Sequence, residues 1–127
     1  MISIDTDVWL AFTRNEQRVE RLVDLLEKGI AEVHPLVLLE LDLGVSVAQR
    51  EGLLRDLEFL QGPPVRSHDE VVAFTKEFGV RGAGVGYVDA HLLASAYKEK
   101  RLLWSMDVEV QRLAKRLGIA FRPGRAR

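Results

Sequence analysis

The chain contains no cysteine, which excludes a disulfide framework, a thiol nucleophile and a thiolate metal site. No uninterrupted apolar run approaches the ~20 residues needed to span a bilayer. The first residues are strand-like and acidic, not a basic stretch followed by an apolar one, so no secretory leader is expected. Low-complexity segments, internal repeats and linkers are also missing. What remains is 127 residues with 47% hydrophobic and 29% charged side chains, an ordinary globular mix. The expectation is one domain, 1–127, with a real core, in a soluble cytoplasmic protein without membrane contact.

Charge is nearly balanced overall, at −1, but not along the chain. Arg112, Lys115, Arg116, Arg122, Arg125 and Arg127 give the last sixteen residues +6 with no acid among them, leaving −7 on the preceding segment. A phosphate-binding edge beside an acidic pocket has this asymmetry. A basic tail that only aids solubility would have it too.

Short apolar runs alternate with longer helical patterns. Ile2–Ile4 reads as a strand that stops at Asp5, and Asp7 is a good N-cap for a helix through Phe12. Val19, Leu22, Val23 and Leu26 recur at helical spacing within Glu16–Lys28, before a stop at Gly29. Ala31–His34 reads as a second strand, ended by Pro35. Leu53, Leu54, Leu57 and Leu60 mark another helix, and Ser67-His-Asp-Glu70 is a capping box opening a helix through Phe78. A glycine-rich loop, 81–86, leads to a helix Tyr87–Lys98, a strand Leu102–Ser105, a helix Val108–Leu117 and a last strand near Ile119–Arg122. This order predicts an α/β fold: a three-layer sandwich with a short-stranded, mainly parallel sheet flanked by helices. Ligands of such sheets bind beyond the carboxyl ends of the strands.

Four acids interrupt apolar sequence: Asp5, Glu40, Asp89 and Asp107, and no lysine or arginine adjoins any of them. A buried carboxylate costs several kcal/mol without compensation, and four together repel unless a cation joins them. A hard metal ion is the simplest such cation. Asp89 shares a helical stripe with Leu92, Leu93 and Ala96, although a first-turn Asp is also favoured by the helix dipole. Glu40 falls within an apolar helical stripe after Pro35, yet Leu39-Glu40-Leu41-Asp42-Leu43 also alternates like a strand, which keeps Asp42 a competitor. Asp107 reads equally as an N-cap, with Ser105 as rival, and Asp5 as a turn residue. His34, His68 and His91 are scattered, and Gly82-Ala83-Gly84-Val85-Gly86 follows no strand and lacks the dinucleotide spacing.

Taken together, Asp5-Thr6-x-Val8-Trp9, Val37-Leu-Leu-Glu40, Gly86-Tyr-Val-Asp89-Ala-His-Leu-Leu-Ala-Ser-Ala96 and Leu103-Trp-Ser-Met-Asp107 resemble the PIN-domain ribonucleases, specifically VapC-type toxins of toxin–antitoxin pairs. The third segment is the most specific. The resemblance implies a metal-dependent endoribonuclease in which Asp5, Glu40, Asp89 and Asp107 are catalytic. Asp5, Asp89 and Asp107 would bind Mg²⁺ or Mn²⁺, with Ser105, Asp7 and Thr6 in support. It further implies an RNA substrate such as a structured tRNA or rRNA, a VapB-type antitoxin and a homodimer, for which Trp9, Leu10 and Phe12 would offer apolar surface. Asp7 and Glu109 depart from the family's usual residues at their positions.

Two alternatives stay open. A haloacid-dehalogenase-type phosphatase is suggested by Asp5-Thr6-Asp7, although too little chain follows Ser105 for the rest of its motifs. A catalytically silent PIN fold that binds RNA or protein would need none of the acids.

Overall fold

The strands are only two or three residues long, and two of them lead directly into an acid or a hydroxyl at the sheet's edge. The computed structural model describes residues 1–44 and 47–124. Ile2–Ile4 (β1) pairs in parallel with Ala31–Glu32 (β2) on one side and Leu102–Trp104 (β3) on the other, in the order β2-β1-β3. The register sets Ile2 opposite Ala31 and Leu102, and Ile4 opposite Trp104. The ladder runs one step further, because Asp5 N donates to Trp104 O at 2.9 Å. Asp5 and Ser105 are therefore neighbours at the carboxyl edge.

Helices fill the crossovers that parallel strands require. They are Thr6–Thr13 (α1), Arg21–Glu27 (α2), Pro35–Gly44 (α3), Val47–Leu57 (α4), His68–Glu77 (α5), Tyr87–Lys98 (α6) and Val108–Arg116 (α7). The core gathers Ile4, Val8, Trp9, Leu22, Leu25, Leu41, Phe74, Leu92, Leu93, Val110 and Leu113 around the sheet. Gly62 is required where the chain passes β2: a Cβ there would overlap the Val33 carbonyl, while Val33 N donates to Gln61 O at 3.2 Å.

Several local expectations change. The first helix begins at Thr6, and Asp5 rather than Asp7 is its cap, its side chain accepting from Thr6 N. The periodic stretch from Glu16 breaks into a 3₁₀ turn at Gln17–Val19 and the separate α2, with Val19 and Leu22 both in the core. The second strand stops at Glu32, because His34 has turned to cap α3, its Nδ1 accepting from Leu36 N at 3.0 Å. The last strand reduces to one parallel bridge, Ala120 to Leu103, with Pro123 closing off further pairing. The Ser67 capping box is present in both directions.

Trp9 is 1% exposed and packs edge-to-face on Phe12, while Leu10 and Phe12 are half-buried. This corrects their assignment as apolar surface for a partner. The most exposed apolar side chains among the described residues are instead Phe59, Leu43, Val108, Tyr87 and Leu39.

Candidate active site

Four segments bring acids to the carboxyl edge of the sheet. Asp5 ends β1 and is 4% exposed, with Oδ1 accepting from Thr6 N at 2.7 Å and Oδ2 from the Ser105 hydroxyl at 2.7 Å. Ser105 Oγ in turn accepts from Asp107 N at 3.1 Å, so one hydroxyl joins the ends of β1 and β3 to the start of α7. Asp7, half-buried on the first turn of α1, accepts from Met106 N at 3.1 Å. Asp107 caps α7, its Oδ1 accepting from Glu109 N and Val110 N at 2.9 and 3.1 Å. Glu40 is exposed on α3 and is reached by the Thr6 hydroxyl at 2.6 Å. Asp89, half-buried on the first turn of α6, accepts a backbone hydrogen bond from Gly86.

Electrostatics ties these groups into one cluster. Burial, then the Asp7 charge, pushes Asp5 from the usual 3.8 up to about 7, and Asp89 adds to the effect. Asp89 is raised by burial first and then by Asp107, Glu40 and Asp7. Asp7 is raised by burial, with the Asp107 charge acting in the same direction against the Met106 and Val8 amides. Five carboxylates thus repel one another across four segments. Among the described residues, no lysine, arginine or histidine forms an ion pair with any of them.

All four predicted acids therefore meet at this edge, with Asp7, Thr6 and Ser105 beside them. Asp107 also proves to be the N-cap, and capping engages Oδ1 alone among its oxygens. Glu109 is paired with Arg112 at 3.2 Å. Asp42 lines a separate shallow groove with Leu38, Leu54 and Glu58. Among the described residues, no group of three or more His, Cys, Asp or Glu side chains is arranged to hold a metal ion. The donor set is nonetheless all carboxylate and hydroxyl oxygen. Mg²⁺ takes one or two carboxylates and keeps several waters, so an open, uncompensated all-oxygen edge fits it without a closed protein shell.

His34 and His91 are buried side by side, with ring centroids 6.3 Å apart, between α3 and α6. His34 Nε2 lies 3.3 Å from the Ser95 hydroxyl, and burial, aided by His91, lowers it from 6.5 to about 4. His91 is lowered by burial and then by the His68 charge. Both rings are therefore neutral at pH 7, and they pack together the two helices that carry Glu40 and Asp89. The signal in the sequence was His91 next to Leu92-Leu93 in a buried stripe.

The PIN domain family model matches residues 2–116. Two curated relatives, each called Ribonuclease VapC32, come from Mycobacterium tuberculosis strains CDC 1551 / Oshkosh and ATCC 25618 / H37Rv. Each is 40% identical over 121 residues, covering 94% of this chain and 95% of its own length. No solved structure matches the chain significantly.

Proposed function

The chain belongs to the PIN-domain family, and from that premise we propose that it is the toxin of a type II toxin–antitoxin pair, an endoribonuclease dependent on Mg²⁺ or Mn²⁺. The observation that carries this reading is the group of five mutually repelling carboxylates at the carboxyl edge, left without a protein cation, in a chain similar over 94% of its length to ribonucleases. Asp5, Asp89 and Asp107 would hold the metal, and Glu40 would orient the attacking water. When bound, the ion supplies positive charge opposite the scissile phosphate and lowers the pKa of water.

The chain's own residues do the rest. Ser105 fixes Asp5 through its hydroxyl and so holds the buried carboxylate in one orientation. Thr6 does the same for Glu40 from the first turn of α1. Asp7 is held by the Met106 amide at the turn between β3 and α7, where it adds negative charge that strengthens the demand for a cation. The cleaved phosphodiester would leave a 5′-phosphate and a 3′-hydroxyl. A structured RNA would present its unpaired segment here, since base edges in an RNA duplex are poorly accessible.

A VapB-type antitoxin is the expected partner in the cytoplasm. Among the described residues, no helix is long and apolar enough to cross a membrane. A homodimer would draw on Leu39, Leu43 and Phe59 rather than on Trp9. The phosphatase reading loses support, because it gives no role to Glu40 and Asp89 and the PIN domain model matches residues 2–116.

The test is cleavage of total RNA by the purified chain with Mn²⁺, with Mg²⁺ and with EDTA, followed by end-group analysis. Metal-dependent cleavage that vanishes with Asp5→Asn supports the enzyme. A folded wild-type chain that binds RNA but cuts none under any metal would leave the silent-fold alternative standing.

A further inference from the structure

Beyond the acids, α7 carries a second surface that the proposed chemistry does not use. Val110, Leu113 and Ala114 bury one face of the helix. Val108, Gln111, Arg112 and Lys115 lie on the other and, with Phe121 and Arg122, line a groove of about 410 Å³. The groove starts one residue after Asp107. At 1.5 Å per residue, Arg112 and Lys115 stand about 7 and 12 Å along the helix axis from it.

Its floor and rim differ in chemistry. Phe121 is half-buried, and its ring packs against the buried Trp104 with centroids 5.2 Å apart. The backbone behind it is fixed, because Phe121 N donates to Leu103 O at 3.0 Å. The ring is therefore braced by Trp104 while it also lines the groove. On the rim, Lys115 and Arg122 have no acidic partner among the described residues, and Arg112 has only the exposed Glu109. Gln111 Nε2 donates to Ser105 O at 2.8 Å and so anchors this helix face to the strand end that holds Asp5. Arg116, on the same helix, is engaged elsewhere, donating to the Phe78 carbonyl.

We propose that this groove is the track for the single-stranded RNA that flanks the scissile phosphate: Arg112, Lys115 and Arg122 hold consecutive phosphates, and Phe121 stacks an unpaired base. The proposal rests on the ribonuclease reading above. Cations along a groove with an aromatic platform are the usual device for single strands, and a duplex has no free base face to offer. The groove adds contacts that persist through the reaction, so it contributes to substrate binding more than to turnover.

The experiment uses the full chain carrying Asp5→Asn, so that RNA is not consumed, in Mg²⁺ buffer with a fluorescently labelled oligouridine. Adding Lys115→Ala and Arg122→Ala together should weaken binding at low salt. It should also flatten the dependence of log affinity on log salt by about 1.4, at about 0.7 per lost phosphate contact. Phe121→Leu, which keeps the contact with Trp104, should weaken binding about five- to a hundredfold without changing the salt slope. Arg116→Ala should leave binding unchanged. In chains that retain Asp5, the groove substitutions should raise KM and leave kcat nearly constant.

Unchanged affinity and salt slope in the double variant overturn the groove, and a wild-type chain that still cuts RNA keeps the ribonuclease reading in place. Equal binding of a duplex, indifferent to Phe121→Leu, overturns the single-strand assignment. A wild-type chain that neither binds nor cuts RNA overturns both readings. Loss of binding by Asp5→Asn alone, alongside normal wild-type cleavage, overturns a groove that holds RNA by itself.

Discussion

Replacing Asp5 by Asn in metal-free buffer should make the protein more stable as the pH rises, the reverse of what losing a native side chain usually does. Asp5 is 4% exposed, and its carboxyl titrates near 7 in the fold against 3.8 in the open chain. Between those values the folded state holds a proton that the unfolded state has released. The stabilisation is complete below about 3.8 and is lost as the pH climbs through 7. The full cost of an ionised Asp5 is about 4 kcal/mol, at 1.36 kcal/mol for each factor of ten. Asn carries no charge in either state and avoids it. The hydrogen bonds also survive: Asn Oδ1 can accept from Thr6 N, and the Ser105 hydroxyl, which now accepts from Asp107 N, can accept from the amide as well. From pH 5 to pH 8 the advantage of the variant over the parent should widen by about 2–3 kcal/mol. Chemical denaturation with EDTA at both pH values measures it. Saturating Mg²⁺ should then stabilise the parent more than the variant, because binding to the folded state alone adds stability by mass action. An advantage that stays flat with pH, or an Asn variant less stable than the parent at pH 8, refutes the reasoning.

Asp89→Asn should lower metal affinity and RNA cleavage together by about ten- to a hundredfold, while the metal-free thermal midpoint holds or rises because burial and Asp107 already disfavour its charge. A less stable but fully active variant removes Asp89 from the site. Trp9→Ala should cost about 3–5 kcal/mol of stability without changing the subunit stoichiometry in light scattering, since the ring lies in the chain's own core. His34 titrates near 4 in the fold instead of 6.5, so the unfolded chain binds its proton first and stability falls as the pH drops across that interval, by up to about 3 kcal/mol. Because the raised carboxyls of Asp7 and Asp89 act in the opposite direction, the His34 ring is followed directly by NMR, and an imidazole that protonates near 6.5 rules this out.

The layout of the fold was readable because its signals are local. The Ser67 box, the Gly29 stop and the periodic leucines each depend on residues within one turn, and all reappear close to where they were expected. The discrepancies are cases where a distant partner decides. Ile119–Arg122 has strand composition, but Pro123 follows at once and it pairs with β3 only through the Ala120–Leu103 bridge. Trp9 looked like free surface because helical spacing says which residues share a face, not whether another element covers that face. His34 and His91 are 57 positions apart in the chain, and neither flags the other in sequence.

The same distinction explains why the acids could be found individually but not assigned. A carboxylate just before a helix is favoured by the exposed amides of the first turn, whether or not a metal lies in front of it. Asp5 and Asp107 are both caps, and the capping pattern alone accounts for their positions. What sets Asp5 apart from an ordinary cap is burial, with like charges gathered around it. Asp7 and Asp89 raise Asp5, and Asp107, Glu40 and Asp7 raise Asp89. An ordinary cap gains from its ionised form, whereas a buried cap surrounded by like charges is held near neutrality and stays costly until a cation arrives. That difference comes from burial, which exists only once β1 and β3 lie side by side; the Ser105 hydroxyl, 100 positions away, donates to Asp5 there and offsets part of the rise. Folding the sheet and assembling the acidic edge are therefore one event, and mutations that loosen β3 should reduce metal affinity even when every carboxylate is intact.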